Sequence, residues 1–250
     1  HPKEVITGVF DDWMYEHRGV HAWTVEIWSP QKQAGIEVKH AIDWFREHPH
    51  ADDIALLKWS DEKLDGKGYL PWTPFTHPQL GEVEVGGWDV QHCWRNPPPQ
   101  CLESEVTPLA EWTVWLGTTI PVLEERAFEV KEEGGLLKIR WAVHNSGWLA
   151  TNVSQLALQK KMLRGVVAEI MPADWEAISS EAGSAKPDWL VSGELRMDGG
   201  QLTGWGSAGG TPIWSMDGSS DIALFEWVVK PGKYRLTAFH DRAGRIRREV

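Results

Sequence analysis

Cysteine is nearly absent: Cys93 and Cys101 are the 2 cysteines in 250 residues. Two thiols make no disulfide framework, so the fold must rest on burial of apolar surface. One bridge stays open to them, across the proline-rich loop of residues 94–100. Long apolar runs are lacking too, and nothing approaches the roughly 20 residues of a spanning helix, which argues against a membrane span. No signal-peptide pattern is present. Basic residues are outnumbered 25 to 36, for a net charge of −11. That excludes the basic face needed for non-specific binding of nucleic acid or of an anionic membrane. Tyrosine and phenylalanine are scarce, at 3 and 6, whereas tryptophan reaches 17. Tryptophan brings a large apolar area and an N–H that needs a partner. Its spread from Trp13 to Trp227 reads as core and domain-seam filler rather than one stacking platform.

What is present is organised around Gly8–Pro30, GVFDDWMYEHRGVHAWTVEIWSP. It reads as loop, then turn, then a strand carrying one carboxylate, Glu26. Ala22, Trp23, Val25, Ile27 and Trp28 surround that charge. In a strand, Thr24, Glu26 and Trp28 share one face. A carboxylate in such company is either one half of a buried ion pair or a positioned general base.

Asp12-Trp13-x-Tyr15, then Gly19, then Thr24-x-Glu26 resemble the end of the catalytic domain of zinc carboxypeptidases, the carboxypeptidase A/B-like metallopeptidases. The resemblance covers the segment up to Pro30. Beyond it the chain looks more like a bacterial subgroup with a longer middle segment and an extra C-terminal domain. The resemblance implies a zinc-dependent metallocarboxypeptidase acting on peptide substrates, with Glu26 as catalytic base and acid and Thr24 beside it in the substrate site. Asp11 falls where the family places the residue at the base of the pocket for the C-terminal side chain. An acidic residue there implies a preference for C-terminal Lys or Arg, because a carboxylate closing an apolar slot pairs a cation. The alternative for Asp11 is a turn-capping role before Trp13.

The family's zinc ligands, a His-x-x-Glu pair and a later histidine, lie well upstream of the base. His1 and Glu4 have that pair's spacing but stand too close to Glu26 to serve. The expectation is therefore that the chain, which starts at His1 inside the motif region, is a fragment without its zinc ligands and inactive by itself. Two further classes stay open: an amidase or endopeptidase of the same fold family acting on cell-wall peptides, and a non-enzymatic protein gripping glycans or peptides with tryptophans.

The expected fold class is α/β, the C-terminal fragment of a carboxypeptidase-like α/β/α domain, over residues 1–121, followed by an all-β sandwich over 122–250. Apolar spacing predicts helices over 33–47, 52–64 and 102–120. Residues 65–101 read as a turn-rich segment with one short strand at Glu82–Val85. Trp72, His77, Glu84, Trp88 and Arg95 are its candidate cleft-lining residues. His40, His48 and His50 read as solvated histidines rather than a metal cluster.

After Pro121 the period shifts towards two. A hairpin is predicted around Gly134-Gly135, then a short helix within 154–164. Further strands are predicted over 166–171, 175–180, 190–195, 222–229, 234–240 and 245–250. Asp217, Asp221, His240 and Asp241 fall in turns, and the arginines of 242–248 on a solvated edge.

Overall fold

The computed structural model describes residues 8–174, 187–205 and 220–250. His1, Glu4, the strand expected over 175–180 and Asp217 lie outside the described residues. The chain divides into two compact units: residues 25–114, and residues 1–24 together with 115–250. This division differs from the expected boundary at 121/122, because the N-terminal motif segment belongs with the C-terminal half.

The larger unit is built on two open, four-stranded antiparallel sheets. In the first, β3 (Leu123–Glu133) pairs β4 (Leu136–Asn145), β4 pairs β8 (Ile222–Val229), and β8 pairs the short β6 (Leu190–Ser192). In the second the order is β10 (Gly244–Glu249), β9 (Tyr234–His240), β5 (Val167–Pro172) and β7 (Arg196–Asp198). Gly134 and Gly135 both adopt positive φ, 60° and 74°, as the tight turn between β3 and β4 requires. Of the strand expected over 190–195 only Leu190–Ser192 forms, and Arg196–Asp198 beyond it is a separate short strand in the other sheet.

Strict alternation builds the core. Ile139, Trp141 and Val143 of β4, and Ala223, Phe225, Trp227 and Val229 of β8, are buried; so are Ala168 and Ile170 of β5 and Tyr234, Leu236 and Ala238 of β9. The two fully buried indoles keep their donors satisfied. Trp141 Nε1–H donates to Glu125 Oε2 at 3.0 Å and Trp227 Nε1–H to the Glu194 carbonyl at 2.8 Å. Asn145 does the same for the backbone at the end of β4, accepting from Val122 and Gly147 and donating to the Leu149 and Thr203 carbonyls. Arg248 lies over the Phe128 ring at 4.7 Å, linking β10 to β3.

The smaller unit contains α2 (Pro30–Gln33), α3 (Ala41–Arg46), α4 (His50–Leu64), a hairpin of β1 (Tyr69–His77) and β2 (Gly81–Trp88), a π-helical turn at Val90–Trp94, and most of α5 (Pro99–Thr118). Its core is small: Trp59, Leu64 and Cys93, with Trp28, Ala34, Trp88 and Trp94 against them.

Two expectations are corrected here. The helix over 33–47 is interrupted, because Gly35 takes φ 77° and the chain becomes helical again only at Ala41. The turn-rich segment holds two paired strands rather than one, and a bulge between Leu70 and Thr73 accommodates Pro71. Every strand pairing among the described residues is antiparallel. The chain is mixed in helix and strand, with its strands concentrated in the second half.

Burial on β8 gives a direct test. Trp227→Ala should lower unfolding free energy by about 3–5 kcal/mol. Leu224→Ala, on the exposed face of the same strand, should change it by less than about 0.5 kcal/mol. Chemical denaturation of the two variants measures both, and equal losses would refute the inward–outward assignment.

Candidate active-site segment and its anchoring

The residues before Glu26 form a helix, not a loop. α1 spans Phe10–Arg18, with Asp11 and Asp12 in its first turn and His17 and Arg18 in its last. That charge order suits the helix dipole. Gly19 ends the helix in the left-handed conformation, φ 61°, and its N–H returns to the Tyr15 carbonyl at 3.0 Å. A side chain on Gly19 has no room: an added Cβ would lie 2.6 Å from Ala157 Cβ. The glycine of the resemblance is therefore required here for both its backbone and its packing.

A nine-residue helix with no buried residue does not hold itself. Arg242, in the turn after β9, donates through Nη1 to the carbonyls of Gly19, at 3.1 Å, and Asn152, and through Nη2 to that of Arg18. Ser154, the N-cap of α6 (Gln155–Gln159), donates from Oγ to the same Gly19 carbonyl. Lys160 donates to the Glu16 carbonyl at 3.0 Å and pairs with its carboxylate, which holds the Glu16 carboxyl below the ordinary range. The carbonyls left open at the end of α1 are thus satisfied from the β-rich half of the chain. Reading the arginines of 242–248 as a solvated edge missed this. The clue available was Arg242 beside a DRAG turn, which gives no distance information.

α1 presents its large side chains outward. Phe10 is 69% exposed, and Trp13 and Tyr15 are exposed as well. A recess along the helix is lined by Phe10, Asp12, Trp13, Glu16 and His17. Asp12, rather than Asp11, lines it; Asp11 is half-buried in the first turn without a capping hydrogen bond. Thr24 is exposed and ends this stretch of the larger unit.

Residues 20–29 form neither helix nor strand, so the expected strand around Glu26 is not formed. Without a neighbouring strand to pair its backbone, the apolar alternation there has nothing to lie against. Glu26 is exposed at the start of the smaller unit, which removes the buried ion pair as its role. Trp28, two residues on, is anchored: its Nε1–H donates to the Cys93 carbonyl at 2.7 Å.

The candidate cleft residues of 65–101 divide. His77 is structural, its Nδ1 accepting from the Gln79 and Leu80 amides at 3.1 and 3.2 Å. Trp88 packs in the small core, whereas Trp72 and Glu84 are exposed. Trp72 Nε1–H donates to Tyr69 Oη at 3.0 Å. Cys93 and Cys101 are free thiols, not a bridge, and burial pushes Cys93 up to about 11. His48 is not solvated: it stacks on Trp44 at 4.1 Å and bonds the Trp44 carbonyl and Asp53, the carboxylate holding its pKa up. Among the described residues no three His, Cys, Asp or Glu side chains form a group able to hold a metal ion.

The arrangement defines a mixed α and β chain in which a short motif helix is tied to a unit of two antiparallel sheets. Residues 123–250 match the model of a family described as a domain of unknown function (DUF8731), and the chain belongs to that family. No curated protein and no solved structure matches it.

The anchor is testable by local exchange. Arg242→Ala should raise amide hydrogen exchange across residues 10–20 while β4 and β8 stay protected, at a cost of about 1–3 kcal/mol as the Arg18 and Asn152 carbonyls lose this donor and Gly19 keeps only Ser154. Gly19→Ala should do the same through the clash with Ala157. Unchanged exchange in α1 in both variants would show that something else holds it.

Proposed function

We propose that this chain carries the proton-transfer carboxylate of a zinc-dependent metallocarboxypeptidase that removes C-terminal residues from peptides. The observation that carries the reading is the combination Asp12-Trp13-x-Tyr15, Gly19 and Thr24-x-Glu26 at fixed spacing. In this reading Glu26 takes a proton from the attacking water and delivers it to the leaving amine. Thr24 lies in the substrate site, and Asp11 selects cationic C-terminal side chains. In the family that the motif resembles, zinc would polarise the scissile carbonyl when bound, held by ligands that precede the segment matching Asp12–Glu26.

Two exposed apolar faces support the proposal. α1 offers Phe10, Trp13 and Tyr15; α5 is a helix of 20 residues in which none is buried, and Leu102, Val106, Val114 and Trp115 are exposed. Soluble chains keep such faces for a partner, and the remainder of a catalytic domain is that partner here. In this reading the domain is of the α/β/α carboxypeptidase type and the two-sheet unit is its β-sandwich accessory domain.

A second reading, a non-enzymatic glycan- or peptide-binding protein, draws on Trp148 and Trp205. Both are exposed, and the Trp205 amide bonds to the Gly147 carbonyl at 3.1 Å, which brings their loops together.

The natural full-length product should hydrolyse hippuryl-Arg faster than hippuryl-Phe. Glu26→Gln should lower its kcat by about 10²–10⁴-fold, the usual share of a general base, and Asp11→Ile should reverse the substrate preference. Full activity in the Glu26→Gln protein would remove Glu26 from the chemistry, and equal rates on both substrates would remove Asp11 from specificity. Cleavage of peptidoglycan fragments without hippuryl-peptide hydrolysis would favour the amidase class. Glu26-dependent turnover by the 250-residue chain supplied with zinc would overturn the assignment of the ligands to upstream sequence.

A further inference from the structure

His240 is buried to 4% exposure at the end of β9. Its Nδ1 accepts from the Arg242 amide at 3.1 Å, so in the neutral ring the proton sits on Nε2. That buried Nε2 has no hydrogen-bond partner among the described residues. Burial lowers the ring's pKa and outweighs Asp241 and the nearby Arg164 backbone, an acceptor outside good hydrogen-bond geometry, which both favour the protonated form, so the ring is a neutral donor near pH 7. A buried donor without a partner costs about 1–3 kcal/mol, and native structures keep few of them without a reason.

The ring lines a recess at the end of the second sheet, where β5 begins and β9 stops, together with Arg164, Gly165, Val167, Arg196, Phe239 and Asp241. The site is well supported from behind. Gly165 lies so close to the 198–200 turn that an added Cβ would meet Asp198 Oδ1 at 2.5 Å. The Arg164 carbonyl accepts from Gln201 Nε2 at 2.8 Å. Arg196 stacks over Phe239 at 5.6 Å and pairs with Glu169 at 3.3 Å, which fixes its guanidinium; Arg245 covers the same ring at 5.3 Å. Arg164 has no ion pair among the described residues. On a chain of net charge −11, Arg164, Arg196 and Arg245 offset Glu169, Asp198 and Asp241 around the recess.

We propose that this recess binds a small oxyanion, the carboxylate or phosphate group of a ligand. Arg164 and Arg196 supply charge-assisted hydrogen bonds, and His240 Nε2–H is the buried donor that fixes the anion's position. Asp241 limits the charge the site accepts, which favours one anionic group over a polyanion. The site lies in the family-matched half of the chain and does not depend on Glu26 or on peptidase activity.

The test is a titration of the whole chain with inorganic phosphate and, separately, with acetate, at pH 7 and constant ionic strength. The readout is the His240 ring nitrogen resonances, assigned with His240→Gln. A saturable shift in the millimolar range is expected, with phosphate or acetate the tighter according to which group the site takes. The double variant Arg164→Ala/Arg196→Ala should weaken binding about tenfold or more, whereas Arg247→Ala, outside the recess, should leave it unchanged. Asp241→Asn should tighten it. No saturable shift up to tens of millimolar of either anion, or equal affinity in the double arginine variant, would overturn the site. Both arginines are exposed, so their replacement tests the proposal even where His240→Gln fails to fold.

Discussion

The Gly19 carbonyl is the point on which the larger unit's composite construction turns. It accepts from Arg242 and from Ser154 at once, and those two donors come from opposite ends of the β-rich sequence. Only a residue without a side chain can bring that carbonyl so close to Ala157 while its own backbone is left-handed. Arg242 suits the other half of the contact because a planar guanidinium offers several donors in fixed geometry. It reaches three carbonyls, where a lysine's single ammonium would not span the same fork.

Burial is distributed very unevenly along the chain. In residues 123–250 the inner faces of both sheets close on each other, and the two fully buried indoles, Trp141 and Trp227, find hydrogen-bond partners. In the first half, α1 and α5 bury no residue at all, and the smaller unit's core amounts to a few aromatic rings and one cysteine. Tryptophan serves both regimes. Trp44, Trp59, Trp141 and Trp227 are buried, whereas Trp13, Trp23, Trp72, Trp115, Trp148 and Trp205 are exposed. The filler role read from their even spread holds for the first group and not for the second. α5 shows that a clear apolar stripe predicts a helix without predicting what covers it. Pro108 within it removes one backbone donor, and Ser104 and Thr113 occupy neighbouring carbonyls with their hydroxyls.

Legibility in the sequence followed the range of the forces involved. β8 and β9 were readable to the residue, because alternation over seven or eight positions records one buried face. The Gly134-Gly135 hairpin was readable because a two-residue turn is a local event. α4 and α5 were readable from periodicity. α1 was not, since its apolar residues make no inward stripe, although its charge order and Gly19 were adequate stop and start signals. The strand expected around Glu26 failed for the opposite reason: alternation is necessary for a half-buried strand but needs a neighbour, and none among the described residues pairs with 20–29. Among the site residues, Gly19 was found through its motif and explained only by the approach of Ala157. Arg242 and His240 were invisible as functional residues because their roles depend on burial and on carbonyls far away in sequence.

This separation bears on how the motif segment works. Glu26 follows Gly19 by a short irregular stretch, so any force that displaces α1 also displaces the carboxylate's attachment. The anchor that fixes α1 belongs entirely to the larger unit: Arg242 after β9, Ser154 and Ala157 at α6, and Lys160 just beyond it. In the carboxypeptidase reading, the β-rich half is then not an appendage but the support of α1, the helix that opens the motif segment. A C-terminal domain joined only by a linker leaves the chemistry unaffected when it loosens. One that grips α1 through charge-assisted bonds fixes the end of the helix from which the chain runs on towards Glu26.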